Sequence, residues 1–373
     1  MKLIIKQNLL MEHLNYVIRG ISTKNLIPIL NCIKFDLTKD GLSLISTDND
    51  IAIKTFIKKA NIDEIESTGS FVISGRYIYD IIRKLPNETI NIEEIITSKI
   101  VISTPNSSFT LNCNNVFDFP NVELEESKTP ITLKQETIKT LVLQTSFATS
   151  TQESRPVLTG INFKIEDNVL EVVATDSYRL SKKIINLDTK SKDQINIIIP
   201  TKNLLELTRL FFSDEEAVEM HVFSNKVIFK FGTIHLLTRL INGTYPDISK
   251  LIPDTYLLHM KINKDSLYNS IDRAALLTNE ADKNTIKLES NQNNVVVSSN
   301  IPEIGNVEEK ITVEKDNSNE IKIAFSSKYM LEALKAIESD EVELLFNGEV
   351  KPIIIKNATN DNLIQLILPI RTY

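Results

Sequence analysis

Six cationic side chains recur in pairs at one spacing: Arg76 and Arg83, Lys202 and Arg209, Lys328 and Lys335. Positions seven apart lie about 20° from one another on an α-helix, so both cations of each pair share a face. The chemistry open to such a face is electrostatic contact with phosphate. Asp80, Glu206 and Glu332 stand four residues after the first cation of each pair, so solvated intrahelical pairs worth a few tenths of a kcal/mol are the competing reading. Cation before acid is the poorer order for a helix. Arg83, Arg209 and Lys335 are expected to stand clear of those acids.

The elements that must position these cations repeat as well. Apolar Ile78, Leu204 and Met330, then Ile81, Leu207 and Ala333, fall on the opposite side of each segment, which predicts helices over Arg76–Leu85, Lys202 to about Phe211 and Lys328 to about Ile337. Upstream, the segment ending at Lys183 matches, without a gap, the segment ending at Thr55. Pro156 falls on Pro28, Ile161-Asn162-Phe163 on Ile33-Lys34-Phe35, Leu170 on Leu42, and Thr175-Asp176 on Thr47-Asp48. A fainter third copy places Ile286, Leu288 and Val295 on Ile161, Phe163 and Leu170. The chain reads as one domain written three times.

Each copy reads as strand, helix, several strands, helix, several strands. In copy one these are Lys2–Lys6, a helix carrying Leu10, Leu14 and Val17 and ended by Gly20, and strands at Ile29–Leu37, Leu42–Ser46, Ile51–Ile57 and Gly69–Ile73. The second helix and the strands Ile90–Glu94, Ile100–Ser103 and Phe109–Asn112 follow. Ile138, Leu141 and Val142 mark the first helix of copy two, and Leu267 and Ile271 that of copy three. The fold class is α+β: three tandem domains, residues 1–125, 126–252 and 253–373, each with two helices laid on antiparallel sheets. Three such units in series resemble an arc; if two chains join head to tail and the rotation closes, the arc becomes a ring.

Composition bounds the function. Apolar residues make up 42% and charged residues 24% of 373, ordinary for a globular protein. The net charge of −7 divides unevenly: 13 cations against 15 acids in copy one, 16 against 15 in copy two, 13 against 19 in copy three. No copy has the basic excess of a protein that grips DNA over an extended patch, so any DNA contact is confined to one local face. The N-terminal stretch, interrupted by Lys6 and Glu12, reads neither as a signal peptide nor as a membrane span. Cys32 and Cys113 match no metal spacing and read as buried free thiols of a reducing, cytoplasmic setting. With 9 glycines and no GxGxxG or P-loop, a phosphate-cradling backbone is missing. His13, His221, His235 and His259 show no ligand spacing. Asp48-Asn49-Asp50 starts like a calcium loop but lacks its glycine and distal glutamate, and its repeat partner Asp176-Ser177-Tyr178 favours a structural turn. No catalytic residue, metal or cofactor is expected.

Five motifs, in order along essentially the whole chain, carry a resemblance: Ile27-Pro28-Ile29-Leu30, Arg155-Pro156-Val157-Leu158-Thr159-Gly160, Ala174-Thr175-Asp176-Ser177-Tyr178-Arg179-Leu180, Tyr245-Pro246-Asp247 and Leu368-Pro369-Ile370-Arg371. Together they resemble the bacterial DNA polymerase III beta subunit, the beta sliding clamp. The resemblance implies a homodimeric ring of six clamp domains that encircles double-stranded DNA without regard to sequence. It implies no catalytic activity; the ring tethers the replicative DNA polymerase, the clamp loader and repair factors through short linear motifs.

The same resemblance implies site residues. Lys24 and Gln152 sit at positions like the family's DNA-contacting loops and join the six helical cations as a DNA-facing set. A peptide-binding pocket maps onto Leu158, Thr175, Ser177, Tyr178, Arg179, Leu180, Pro246, Lys250, Leu251, Val350, Pro352, Leu368, Pro369, Ile370 and Arg371. It accepts a glutamine and hydrophobic anchors. Two departures stand out: Tyr178 where many members have histidine, and Lys250, without arginine's planar fork, where arginine is common. Ring closure maps onto Phe109 and Leu111 on an edge strand and onto Leu276 and Leu277 after Arg273. Two rivals remain: a three-repeat protein-binding scaffold that never encircles DNA, and a second clamp with altered partner or inhibitor selectivity.

Overall fold

The computed structural model describes residues 1–22, 26–96, 98–188 and 194–371. Six α-helices occur among them: α1 (Gln7–Val17), α2 (Gly75–Lys84), α3 (Gln135–Thr145), α4 (Thr201–Arg209), α5 (Lys264–Ala275) and α6 (Ser327–Lys335). Two helices per copy follow the apolar spacing. Leu10, Leu14 and Val17 of α1, Ile78 and Ile82 of α2, and Met330, Ala333 and Leu334 of α6 are buried. Gly20 acts differently from a helix cap. α1 passes into a 3-10 turn over Ile18–Gly20, and a Cβ on Gly20 would lie 2.3 Å from Ser46 Oγ, so the glycine permits close approach.

The first compact unit comprises residues 1–137 and 203–240. It holds a five-stranded antiparallel sheet in the order Glu64–Ser67, Lys2–Lys6, Thr89–Ile96, Lys99–Thr104, Ser107–Asn112. Its second sheet has eight strands: Ile131–Lys134, Ala217–Val222, Lys226–Phe231, Ile234–Arg239, Ile51–Lys58, Gly41–Thr47, Cys32–Leu37 and Gly69–Ser74. In this sheet copy two is joined to copy one, because Ile234–Arg239 pairs antiparallel with Ile51–Lys58, Leu236 opposite Ile53. Cys32 and Cys113 are free thiols, and burial pushes that of Cys113 up to about 11.

The second unit comprises residues 138–202 and 241–373. Its nine-stranded sheet repeats the junction: Arg179–Asn186 of copy two pairs with Leu363–Ile367 of copy three, Ser181 opposite Gln365. A four-stranded sheet in the order Gly305–Thr312, Asn294–Ile301, Thr285–Asn291, Lys322–Ser326 completes it. The core of this unit lies between these two sheets and the apolar faces of α5 and α6, with Phe325, Phe346, Leu267, Ile271 and Met330 at its centre. Both units therefore contain part of the middle copy, because each long sheet runs on from one copy into the next.

Candidate functional site

The Thr175–Arg179 turn is built from side-chain-to-backbone bonds. Thr175 Oγ1 donates to the Arg179 carbonyl at 2.6 Å, and Asp176 Oδ1 accepts from the amides of Tyr178 at 2.9 Å and Arg179 at 3.0 Å. Ser177 is thereby held at φ 79°, a left-handed conformation unusual for a non-glycine residue. Thr47-Asp48-Asn49-Asp50-Ile51 makes the same turn, with Asn49 at φ 80° and Asp48 Oδ1 accepting from Ile51 N at 2.9 Å. The expectation of a structural turn at Asp48 therefore holds, since the carboxylate is spent on backbone amides.

What distinguishes the copy-two turn is its side chains. Arg179 is buried, and its Nε donates to Asp176 Oδ2 at 3.0 Å while Nη1 donates to Glu332 of α6. Its guanidinium lies 4.3 Å from the ring centre of Tyr329 and 5.5 Å from that of Phe147. Two carboxylates and two ring faces compensate a charge that burial would otherwise make unfavourable. Tyr178 points outward, 59% exposed. Its carbonyl accepts from Leu368 N at 2.9 Å, and Ile370 N donates to the Ala324 carbonyl at 2.7 Å, so the C-terminal tail is pinned on both sides of Pro369. Tyr178, Tyr329, Leu368, Pro369 and Ile370 then line a cavity of about 670 Å³. An apolar, aromatic-walled slot with polar groups at its edge suits the anchor of an extended peptide.

The six helical cations are all exposed. Their acidic neighbours choose different partners from those the spacing suggests. Asp80 accepts from Arg83 at 2.9 Å and Glu206 from Arg209 at 2.5 Å, both at i,i+3, and Glu332 is taken by Arg179. Acid before cation is the better order on a helix, which accounts for the exchange. Arg76 and Lys328 make no ion pair among the described residues. Lys335 stands 5.6 Å from the Tyr268 ring centre.

The chain matches three family models in order: the DNA polymerase III beta subunit N-terminal domain over residues 1–123, the central domain over 132–247 and the C-terminal domain over 249–371. The chain belongs to the DNA polymerase III beta subunit family. It is 39% identical to a beta sliding clamp of Staphylococcus epidermidis and 38% identical to one of Staphylococcus aureus, each over 100% of both chains. Among solved structures it is similar to the DNA polymerase sliding clamp of Bacillus subtilis, with a TM-score of 0.97 at 36% identity over 100% of both chains.

Within this beta-subunit fold the residues expected at the pocket take different places. Of the fifteen, Tyr178, Leu368, Pro369, Ile370 and Arg371 line the cavity; Thr175, Arg179 and Leu180 are buried in or behind the turn that presents Tyr178, and Leu158 is buried too. Ser177, Tyr178, Pro246, Lys250, Leu251, Val350, Leu368 and Arg371 are exposed, and Pro352, Pro369 and Ile370 half-buried. Leu180 packs into a small core with Ile248, Ile354 and Leu366, flanked by Tyr245, whose hydroxyl accepts from Thr175 N at 3.0 Å. Tyr329 and Phe147 escaped the sequence reading, and Glu332 was read only as an intrahelical partner of Lys328; the place of Tyr329 one residue after Lys328 was the available signal. Gln152 is exposed, and Lys24 lies outside the described residues.

At the beta-subunit edges, Phe109 is 37% and Leu276 80% exposed, with Leu111 and Leu277 half-buried. Ser107–Asn112 and Gly305–Thr312 are end strands of their sheets.

One cluster resembles a metal site: Glu126, Glu219 and His221. His221 Nδ1 accepts from Ser127 N at 2.9 Å, so the neutral ring carries its proton on Nε2, the atom that would have to ligate. Lys230 Nζ, 2.8 Å from Glu126 and 3.6 Å from Glu219, already supplies the cation. The donor set does not fit a metal. No helix among the described residues is long and apolar enough to cross a membrane.

Proposed function

We propose that two copies of this chain close head to tail into a ring of six clamp domains around duplex DNA. The ring tethers replicative and repair polymerases, the clamp loader and other factors through the pocket at Tyr178, Arg179 and the C-terminal tail. The observation that carries this reading is the pattern of paired and unpaired strands. In the threefold repeat, Ser107–Asn112 occupies the place of Ile234–Arg239 and Leu363–Ile367, and Gly305–Thr312 the place of Ile51–Lys58 and Arg179–Asn186. Each of the last four is paired across a copy junction. The first and third copies therefore each present one edge whose equivalents elsewhere are always covered.

The two internal junctions specify one register for the missing pair. Leu236 opposite Ile53, and Gln365 opposite Ser181, both translate to Phe109 opposite Val307. Ile234 opposite Thr55, and Leu363 opposite Lys183, both translate to Ser107 opposite Glu309. Leu236 is 0% and Gln365 1% exposed, so the environment that Phe109 lacks in one chain is the one its counterparts already have. Leu276 is similarly placed: its counterpart Arg19 reaches Glu206 of α4 in the next copy at 3.3 Å, and its counterpart Phe147 packs on the core of copy three. A contact of this kind joins unlike surfaces, and two of them close a dimer.

For DNA, the second helices with their flanking residues hold seven cations against four acids in a chain of net charge −7. A lining of Arg76, Arg83, Lys202, Arg209 and Lys335, with Gln152 beside it, is weakly positive, which favours sliding over fixed phosphate contacts. Lys328 belongs to the same proposed lining and also borders the cavity beside Tyr329. Residues 1–125, 126–252 and 253–373 are the proposed domains, and no catalytic group takes part in the reading. Pro246, Lys250, Leu251, Val350 and Pro352, which do not line that cavity, are assigned with the buried Leu158 to a neighbouring part of the same peptide site. The test is to load the protein on circular DNA and then linearise it. Retention on circles with loss from linear ends is expected; equal retention on both overturns encirclement.

A further inference from the structure

Two asparagines in the chain precede glycine: Asn242-Gly243 and Asn347-Gly348. Glycine has no Cβ to shield its amide nitrogen, which can therefore reach the side chain of the preceding residue. That nitrogen attacks the asparagine Cγ, the new C–N bond closes a five-membered succinimide, and the side-chain nitrogen leaves as ammonia. Water then adds to one of the two imide carbonyls and opens the ring, giving aspartate or isoaspartate. One water is consumed and one ammonia released, and the chain gains one negative charge without an oxidant, a metal or a second protein. The local sequence offers this reaction equally at both places.

Tertiary structure separates the two. Asn347 is half-buried, and both ends of its amide are held: Oδ1 accepts from Leu257 N at 3.0 Å and Nδ2 donates to the Thr255 carbonyl at 2.7 Å. Its side chain braces the end of the strand Glu341–Phe346 against the segment that enters Leu258–Asn263. It cannot turn toward Gly348 N without giving up both bonds. Asn242 is the opposite case. It is exposed, and neither its side chain nor the Gly243 amide makes a hydrogen bond among the described residues. Backbone pairing ends at the residue before it, where Ile241 N donates to the Ile198 carbonyl at 2.9 Å. The electrophile and the attacking nitrogen are thus both free at the first step past that anchor.

We propose that Asn242 is a site of spontaneous deamidation in the folded chain, and that Asn347 is protected from the same reaction by its two hydrogen bonds. The flanking residues set the consequence. Gly243 has φ 137°, and a Cβ there would lie 2.6 Å from Val157 Cγ1, so the backbone is pressed against the 3-10 turn Pro156–Thr159. Isoaspartate routes the main chain through the former side chain and lengthens it by one atom between that contact and the Ile241 bond. Aspartate adds only the charge. Either product makes a chain of net charge −7 more acidic, so modified molecules separate from unmodified ones by charge.

The test incubates the full chain at physiological temperature and mildly alkaline pH and follows the conversion of amide to acid at each asparagine by peptide mapping with mass spectrometry. Two hydrogen bonds, each worth about a factor of five in the population free to react, make Asn347 slower than Asn242 by roughly thirtyfold. In urea sufficient to unfold the chain both side chains are released and the two rates converge. Asn242→Gln, at an exposed position, removes the main acidic species that ion exchange resolves from aged protein. Equal rates at the two sites in the folded chain, a faster Asn347, or a difference that persists in urea overturns the proposal. So does an Asn242 left intact after an incubation that converts a free peptide spanning residues 239–246, and so does an acidic species that survives Asn242→Gln undiminished.

Discussion

The unpaired edges permit a quantitative test of ring closure. Phe109 is 37% exposed in the single chain, whereas Leu236 and Gln365 at the equivalent positions are 0% and 1% exposed. A phenylalanine side chain buries roughly 200 Å², so covering the exposed part removes about 75 Å² from water, worth about 2 kcal/mol. A closed dimer contains this contact twice. Phe109→Ala should therefore weaken the dimer by about 4 kcal/mol, roughly a thousandfold in Kd, without altering the fold of the monomer. Sedimentation velocity over a dilution series reads the shift directly. The register supplies a second, sharper readout: Ser107→Cys with Glu309→Cys should cross-link two chains under mild oxidation, while Ser107→Cys with Lys310→Cys should not, since a slip of one residue turns the side chain to the other face of the sheet. A Phe109→Ala protein that dimerises as tightly as the parent, or equal cross-linking of the two cysteine pairs, would refute the strand-addition argument.

Three further outcomes are expected. Leu276→Ala with Leu277→Ala should yield monomers in the same sedimentation experiment, because Leu276 is the exposed counterpart of residues that bridge copies; a dimer persisting at low concentration contradicts it. Arg179→Met should destabilise the second unit by about 3 kcal/mol, since it strands the nearly buried Asp176 carboxylate, and should abolish peptide binding; chemical denaturation with unchanged midpoint would show that the Arg179–Asp176 pair holds nothing together. His13 and His235 in the first unit both have pKa values lowered from 6.5, chiefly by burial. The unfolded chain therefore takes up protons first as pH falls through about 6.5, and stability declines by up to about 1.4 kcal/mol per pH unit for each histidine. His13→Gln, which removes one of the two, should flatten that slope in melts between neutral and mildly acidic pH; an unchanged slope rules out His13 as a source.

Local patterns were legible in the residues because they depend on neighbours in the chain. The helical period carried α1 through α6, and the strand Lys2–Lys6 lies where its composition put it. The turn at Thr175–Arg179 was equally readable, since its bonds join residues no more than four apart. The gapless match of copy two to copy one announced a repeat before any contact was known.

Other features belong to the tertiary structure because they join distant parts of the chain. Glu206 takes Arg209 within its own helix, as the acid-first order favours, but it also accepts from Arg19, 187 residues away, a contact that no local pattern predicts. Arg179 and Glu332 are separated by 153 residues, so no local pattern pairs them, and Lys283 and Lys328 border one cavity only because the Asn284 carbonyl meets Ser327. The contrast between covered strands and bare ones has the same origin. Ser107–Asn112 and Ile234–Arg239 read alike as strands, and what separates them is whether a partner lies alongside. Sequence determined the repeating unit, because helix and strand periods act over a few residues. Folding decided which edges and charges were left without partners, because that depends on which distant strands come to lie side by side.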